Sequence, residues 1–204
     1  MTTLLIITGP QGSGNHLFSK IFALSKEVQG WSALNDQYWI GHDQEPFAEC
    51  WHRPELLDAV DWQHNYYVTS ISCPYVYRGE TMIPDYNKFI SRCPVQVKLA
   101  IIGRDQTILE YQQSRVRGRA TRHEFLKIVN DLMLYDPIFI SQELLYLYGT
   151  NYIKSIGQQL NFPVSQDITV INEILKEDAN KKYIKPVLTH WLDDEVKQAS
   201  RKPE

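Results

Sequence analysis

The spacing of apolar positions changes several times along this chain, and each change marks an element. Leu4 to Thr8 is a short β-branched run that stops at Gly9 and Pro10, the pattern of a parallel strand buried on both faces. Beyond the glycines, Leu17, Phe18, Ile21, Phe22 and Leu24 recur at helical spacing, which predicts a helix. The stretch "NYYVTSISCP" predicts a second strand stopped by Pro74. A loop then runs through Asp85, and Tyr86 to Arg92 predicts a short helix. "VQVKLAIIGRD" is the most continuous apolar strand in the chain. "QTILEYQQSRV" and "HEFLKIVNDLMLY" carry helical spacing on either side of the Arg-rich "RVRGRATR". "PIFISQE" predicts a fourth strand, and "NYIKSIGQQLNF" an amphipathic helix that ends at Pro163. The tail to Glu204 reads as mostly helical, with Trp191, Leu192 and Val196 on one face. Residues 31–65 stand apart. They hold Trp31, Trp39, Trp51 and Trp62 with His42, His52 and His64, and show little period beyond a short helix near Arg53 to Val60.

Strands that alternate with helices imply βαβ units, hence an α/β fold with a mostly parallel sheet flanked by helices. Ligands of such sheets bind beyond the carboxyl ends of the strands, where the glycine loop, Ser72 and Arg104 all fall. No repeat, low-complexity tract or linker divides the chain. The 204 residues, 43% of them hydrophobic, suffice for one domain with a substantial core. The formal net charge of −3 argues against wholesale binding to nucleic acid or to an anionic membrane. Cys50, Cys73 and Cys93 are odd in number and lack CxxC spacing, which fits a reduced compartment. The run Leu4 to Ile7 is too short for a signal-peptide core or a membrane span, so the expectation is a soluble cytoplasmic protein.

The chemistry begins at "GPQGSGNH", residues 9–16. Gly9, Gly12 and Gly14 let backbone N–H groups turn toward an anion, and the following helix adds positive partial charge from its N-terminus. Gly9 and Gly14 fit the spacing of the nucleotide-hydrolysing loop G-x-x-x-x-G-K-[ST], but Asn15 replaces its Lys and His16 its Ser or Thr. Asn is a neutral donor and His a poor magnesium ligand, so ATP–magnesium chemistry is disfavoured. The alternative is a glycine-rich turn that holds no ligand.

Three stretches, in order, resemble the sulfotransferases that use 3′-phosphoadenosine 5′-phosphosulfate (PAPS). "QGSGNHL" resembles their 5′-phosphosulfate loop, with Ser13 and Gly14 at its Ser-Gly pair. "KLAIIGRDQTILEYQQSR" is similar to the strand ending in Arg-Asn/Asp-Pro and the helix whose Ser, often with Arg, holds the 3′-phosphate. "IFISQELLYLYGTNYIKSIGQQLNFPVS" resembles the late strand, acidic residue, helix and Leu-Gly-Leu-Pro segment, with Glu143 at the acidic position. The resemblance runs from residue 4 to about 165. It implies a P-loop NTPase-like three-layer fold, PAPS as donor, no metal, and an acceptor hydroxyl on a small molecule or glycan. It also implies that residues 31–65 build the acceptor pocket.

The departures are specific. The family's loop Lys aligns with Gly12, the Pro after the Arg-Asp pair is Gln106, and its 3′-phosphate Ser falls at Gln112, with Ser114 one helical step away. By alignment on Pro74, Ser72 stands where the cytosolic enzymes carry their catalytic His, and a Ser is a poor base at neutral pH. The expected donor site therefore comprises the amides of Gly12, Ser13, Gly14 and Asn15, with Arg104, Ser114 and Arg115 for phosphate. His16, when protonated, supplies the charge of the missing Lys, and His42 is the candidate base. Against these stand ordinary roles: a helix-terminal His16, an Arg104–Asp105 salt bridge, and a solvated basic face for Arg115, Arg117, Arg119 and Arg122. No aromatic residue interleaves that patch, which weighs against a single-stranded RNA contact. Cys50 and His52 have no second close pair, which weighs against zinc. His123 and His190 read as ordinary surface positions on helices. A P-loop kinase with unusual loop chemistry and a non-catalytic nucleotide-binding or interaction module remain the alternatives.

Overall fold

The computed structural model describes residues 1–30 and 47–176. Trp31, Trp39, His42 and the tail that carries His190, Trp191, Leu192 and Val196 lie outside them. Strand β1 (Thr3–Pro10) is buried along its whole length, as its unbroken apolar run requires. It pairs in parallel with β3 (Tyr66–Cys73) on one side and β6 (Gln96–Gly103) on the other. The two-residue β2 (Val28–Gln29) extends the sheet beyond β3, and β7 (Ile138–Ser141) beyond β6. All these pairings are parallel, in the order β2-β3-β1-β6-β7.

Right-handed crossovers that run in opposite directions along a sheet put their helices on opposite faces. The core divides accordingly. Leu5 and Ile7 of β1 point to one face, where they meet α1 (Asn15–Ala23), α6 (Gln142–Tyr148), α7 (Thr150–Leu160) and α8 (Ile168–Leu175). Leu4 and Ile6 point to the other, toward α2 (Ala48–His52), α3 (Tyr86–Arg92) and α5 (Arg122–Leu132). Helix α4 (Gln106–Arg117) follows β6. The protein is thus α/β, with a mostly parallel five-stranded sheet flanked by helices. Among the described residues no helix is long and apolar enough to cross a membrane.

Besides the unanticipated β2, the structure departs from the periodicity in four places. The stretch before Asp85, expected as a loop, holds an antiparallel hairpin of β4 (Tyr75–Tyr77) and β5 (Glu80–Met82). Its two-residue turn, Arg78 and Gly79, has φ of 48° and 86°, which suits the right-handed twist of the strands. The expected helix near Arg53 is a 3₁₀ turn, Pro54–Ala59, preceded by the unanticipated α2. Helix α5 stops at Leu132 and continues as a 3₁₀ turn, Met133–Tyr135, before Asp136 turns left-handed at φ 48°. Helix α6 fills the stretch between β7 and α7 as a separate element.

Candidate functional site

The glycine loop leaves the carboxyl end of β1 with β3 and β6 on either side. Gly9 admits no side chain: an added Cβ would lie 2.6 Å from Ser13 Oγ and 2.7 Å from the Ile102 carbonyl. The Ser13 N–H then donates to the Pro10 carbonyl at 3.0 Å, closing a turn in which Gly12 takes φ +89°. Of the four loop amides expected at the donor site, Ser13's is therefore used within the loop. Gly14 follows at φ +103° and caps α1 without a side chain. Helix α1 has no side-chain cap from its N-cap residue, Gly14, and no acidic residue in its first turn to oppose the positive end of its dipole.

Side chains lock this loop in place. Asn15 is 3% exposed, accepts from Ser13 Oγ at 3.1 Å, and donates through Nδ2 to Ser72 Oγ at 3.0 Å. Its carboxamide thus ties the loop to the end of β3 and is not presented to solvent. Ser72 is brought to the loop, as its register opposite Gly9 dictates, with its oxygen already accepting a hydrogen bond. Arg104 crosses from β6, and its Nη1 donates to the Gly12 carbonyl and to Gln112 Oε1. Asp105 caps α4 by accepting from the Ile108 N–H at 2.9 Å, while Glu143 accepts from the Asp105 N–H at 2.8 Å and from Ser141 Oγ at 3.0 Å.

Carboxamides form the rest of the wall. The Gln112 amide carbon would lie 3.2 Å from a Cβ on Gly12, and that of Gln142 3.3 Å from one on Gly14. Gln113 donates to the Gln11 carbonyl at 2.6 Å. Gln142 is 2% exposed, and its Oε1 has no hydrogen-bond partner among the described residues; the same holds for Gln11 Nε2. An orphaned buried carboxamide costs about 1–3 kcal/mol.

The loop residues Gly12, Ser13, Gly14 and Asn15 and the distant Arg104 are therefore brought together, with Ser72 beside them. Ser114 and Arg115 lie exposed on α4, one and two residues past Gln113. His16 is half-buried on the first turn of α1. His42 falls outside the described residues. Gln11, Gln113 and Gln142 escaped the sequence reading. A signal existed for Gln113, which follows the buried Leu109 by one i,i+4 step and so shares its inward face.

The hairpin beyond β3 gathers a second polar group. The Tyr77 ring stacks on His52 at 4.4 Å, with the Arg78 guanidinium 5.0 Å from its centre. Its hydroxyl donates to Glu49 Oε2 at 2.7 Å, and Glu49 Oε1 pairs with Arg53 at 2.7 Å. That hydroxyl, followed by the Arg53 charge, holds the Glu49 carboxyl below its ordinary range against the opposing effect of burial. Trp51, one of the four tryptophans in the segment expected to build the acceptor pocket, packs in the core. It stacks on Phe89 at 3.8 Å and donates to Thr69 Oγ1 at 3.3 Å. Trp62 stacks on Phe47 at 5.5 Å. His123 is exposed and pairs with Glu124 at 2.8 Å. Among the described residues no group of three His, Cys, Asp or Glu side chains converges as metal ligands would. A cleft of about 510 Å³, lined by Tyr66, Lys154, Gln158, Pro163 and Val164, opens at the amino ends of the strands, away from the loop. No family model, curated protein or solved structure matches this chain.

Proposed function

We propose that the protein binds a PAPS-type nucleotide at the glycine loop without a divalent cation and transfers its sulfuryl group to a hydroxyl of a small molecule or glycan. The observation that carries the reading is the N-terminus of α1, without a side-chain cap, beside the Gln112 and Gln142 carboxamides and the guanidinium of Arg104. Such a wall suits an anion held by directed N–H donors, and it lacks the Lys and hydroxyl that an ATP–magnesium pair demands. A strand–glycine loop–helix unit at the centre of a parallel sheet is also what a P-loop-like fold requires.

In the reaction, the acceptor oxygen attacks sulfur in line, and the bond from sulfur to the bridging phosphate oxygen breaks. Adenosine 3′,5′-bisphosphate leaves with the electron pair, and the acceptor's proton passes to a base. The α1 amides and Arg104 stabilise charge that grows on the leaving phosphate. His16, on the same helix turn, adds charge there when protonated, and His42 remains the candidate base. Ser114 and Arg115, on the exposed face of α4, serve a 3′-phosphate only if the nucleotide extends along that helix.

One observation favours a second reading, a nucleotide-binding module without transfer. Ser72, at the aligned position of the family's base, is 5% exposed and bonded to Asn15. A thermal-shift panel separates the readings. Adenosine 3′,5′-bisphosphate with chelator raises Tm under the proposal; ATP with magnesium alone doing so points to a kinase, and a response to neither removes the site. Radiolabel transfer from PAPS to a panel of hydroxyl acceptors then distinguishes enzyme from binding module.

A further inference from the structure

Gln113 sits 2% exposed on α4, and its carboxamide is used at both ends. Nε2 donates to the Gln11 carbonyl in the glycine loop at 2.6 Å. Oε1 accepts from the backbone N–H groups of Thr121 at 2.7 Å and Arg122 at 3.1 Å, the N-cap and first residues of α5. Thr121 provides no side-chain cap of its own, so the start of α5 depends on a residue of a different helix. Two further contacts reinforce the link. Thr121 Oγ1 reaches Gln11 Oε1 at 3.5 Å, and Arg122 pairs with Glu110 of α4 at 3.3 Å.

We infer that Gln113 is a positioning residue that couples occupancy of the glycine loop to the arginine-bearing turn at residues 118–122. The inference rests on the reading of the loop as a nucleotide site. A ligand that draws on the loop amides shifts the Gln11 peptide, whose carbonyl is the acceptor for Gln113. The same carboxamide holds the α5 amides, so the two ends of the chain of hydrogen bonds polarise and move together. A carboxamide serves both ends, because it offers a donor and an acceptor in one planar group. Through this link a ligand with two separated anionic groups is favoured over one with a single group: the turn that Gln113 ties to the loop carries Arg119 and Arg122, and a second anionic group competes with Glu110 for the Arg122 guanidinium.

Two substitutions divide the roles. Gln113→Glu keeps acceptors for the α5 amides but has no N–H for the Gln11 carbonyl; Gln113→Met removes both bonds at similar volume. The test measures calorimetric affinity of the full chain for adenosine 3′,5′-bisphosphate and for adenosine 5′-monophosphate, with amide exchange at Thr121 and Arg122. The wild type is expected to prefer the bisphosphate, and the bisphosphate to slow exchange at those two amides. Gln113→Glu is expected to lose about tenfold in its preference for the bisphosphate over the monophosphate and to show no ligand-dependent change in exchange. Gln113→Met is expected to raise exchange at both amides before any ligand is added; if it fails to fold, Gln113→Glu decides the question alone. Unchanged preference and a wild-type exchange response in Gln113→Glu overturn the coupling while leaving the nucleotide site intact. Equal weakening of both ligands in step with a lower Tm makes Gln113 a packing residue only. Binding of neither ligand by the wild type removes the nucleotide reading and this inference with it.

Discussion

A methyl group on Gly9 would meet the Ile102 carbonyl at 2.7 Å, and backbone cannot yield as a flexible side chain can. Gly9→Ala is therefore expected to cost about 1–3 kcal/mol through overpacking and to disturb the loop that follows. Urea denaturation checks the first effect, and an unchanged midpoint would show that the loop can give way. The three thiols make a different kind of prediction. Burial pushes Cys50 up to about 11, and Cys73 and Cys93 to about 12, from an ordinary value of 9.0. Below pH 9.0 the thiols keep their protons whether the chain is folded or not. Above it the unfolded chain loses them while the folded one does not, so stability falls as pH rises from 9.0 through the folded values. Urea midpoints measured on either side of pH 9.0 should show the decline, shallower in Cys73→Ala. A rise instead of a decline contradicts the burial of these groups.

Elements differed in how plainly the chain announced them. Helix α3 was legible to the residue, because Asp85 stands before it and accepts from the Lys88 N–H at 2.9 Å. Asp85→Ala should cost about 1 kcal/mol, typical of a lost N-cap, and chemical denaturation would detect it. The hairpin of β4 and β5 was not legible. Its turn is Arg-Gly, without the Asn or Asp that signals left-handed backbone, and Arg78 takes φ 48° under tertiary constraint. Helix α7 shows a further influence hidden from periodicity. Lys98 of β6 donates to the Leu160 carbonyl, so a strand residue finishes a helix far along the chain. At the candidate site, glycine spacing disclosed Gly9 to Gly14, and the apolar strand before it disclosed Arg104. The carboxamides were hidden for a physical reason. A Gln on a mostly polar helix looks solvated until the register with Leu109 shows that Gln113 faces inward, and nothing local says that Gln142 will meet Gly14.

At the scale of the molecule, the sheet order explains why these residues meet at all. β1 is central, its loop opens between β3 and β6, and those two strands deliver Ser72 and Arg104 to it. The expectation of an α/β protein with a mostly parallel sheet rested on strand–helix alternation alone, and the alternation survives in the structure despite the added hairpin and the extra short helices. The aromatic segment before β3 is less legible in the sequence. Trp51 belongs to the core, Trp62 packs against Phe47 and against Tyr67 at the start of β3, and His52 stacks on Tyr77 of the hairpin, because aromatic residues serve packing and recognition by the same contacts. The central claim is that this loop holds a phosphorylated nucleotide through N–H donors and Arg104, without a divalent cation. Calorimetry of adenosine 3′,5′-bisphosphate with the wild type and Arg104→Ala, each with magnesium and with chelator, tests it most directly. The account predicts equal wild-type affinity in both conditions and a loss of about 1.5–3 kcal/mol in Arg104→Ala, the worth of a charged hydrogen bond. Binding that appears only with magnesium, or that is indifferent to Arg104, would contradict it.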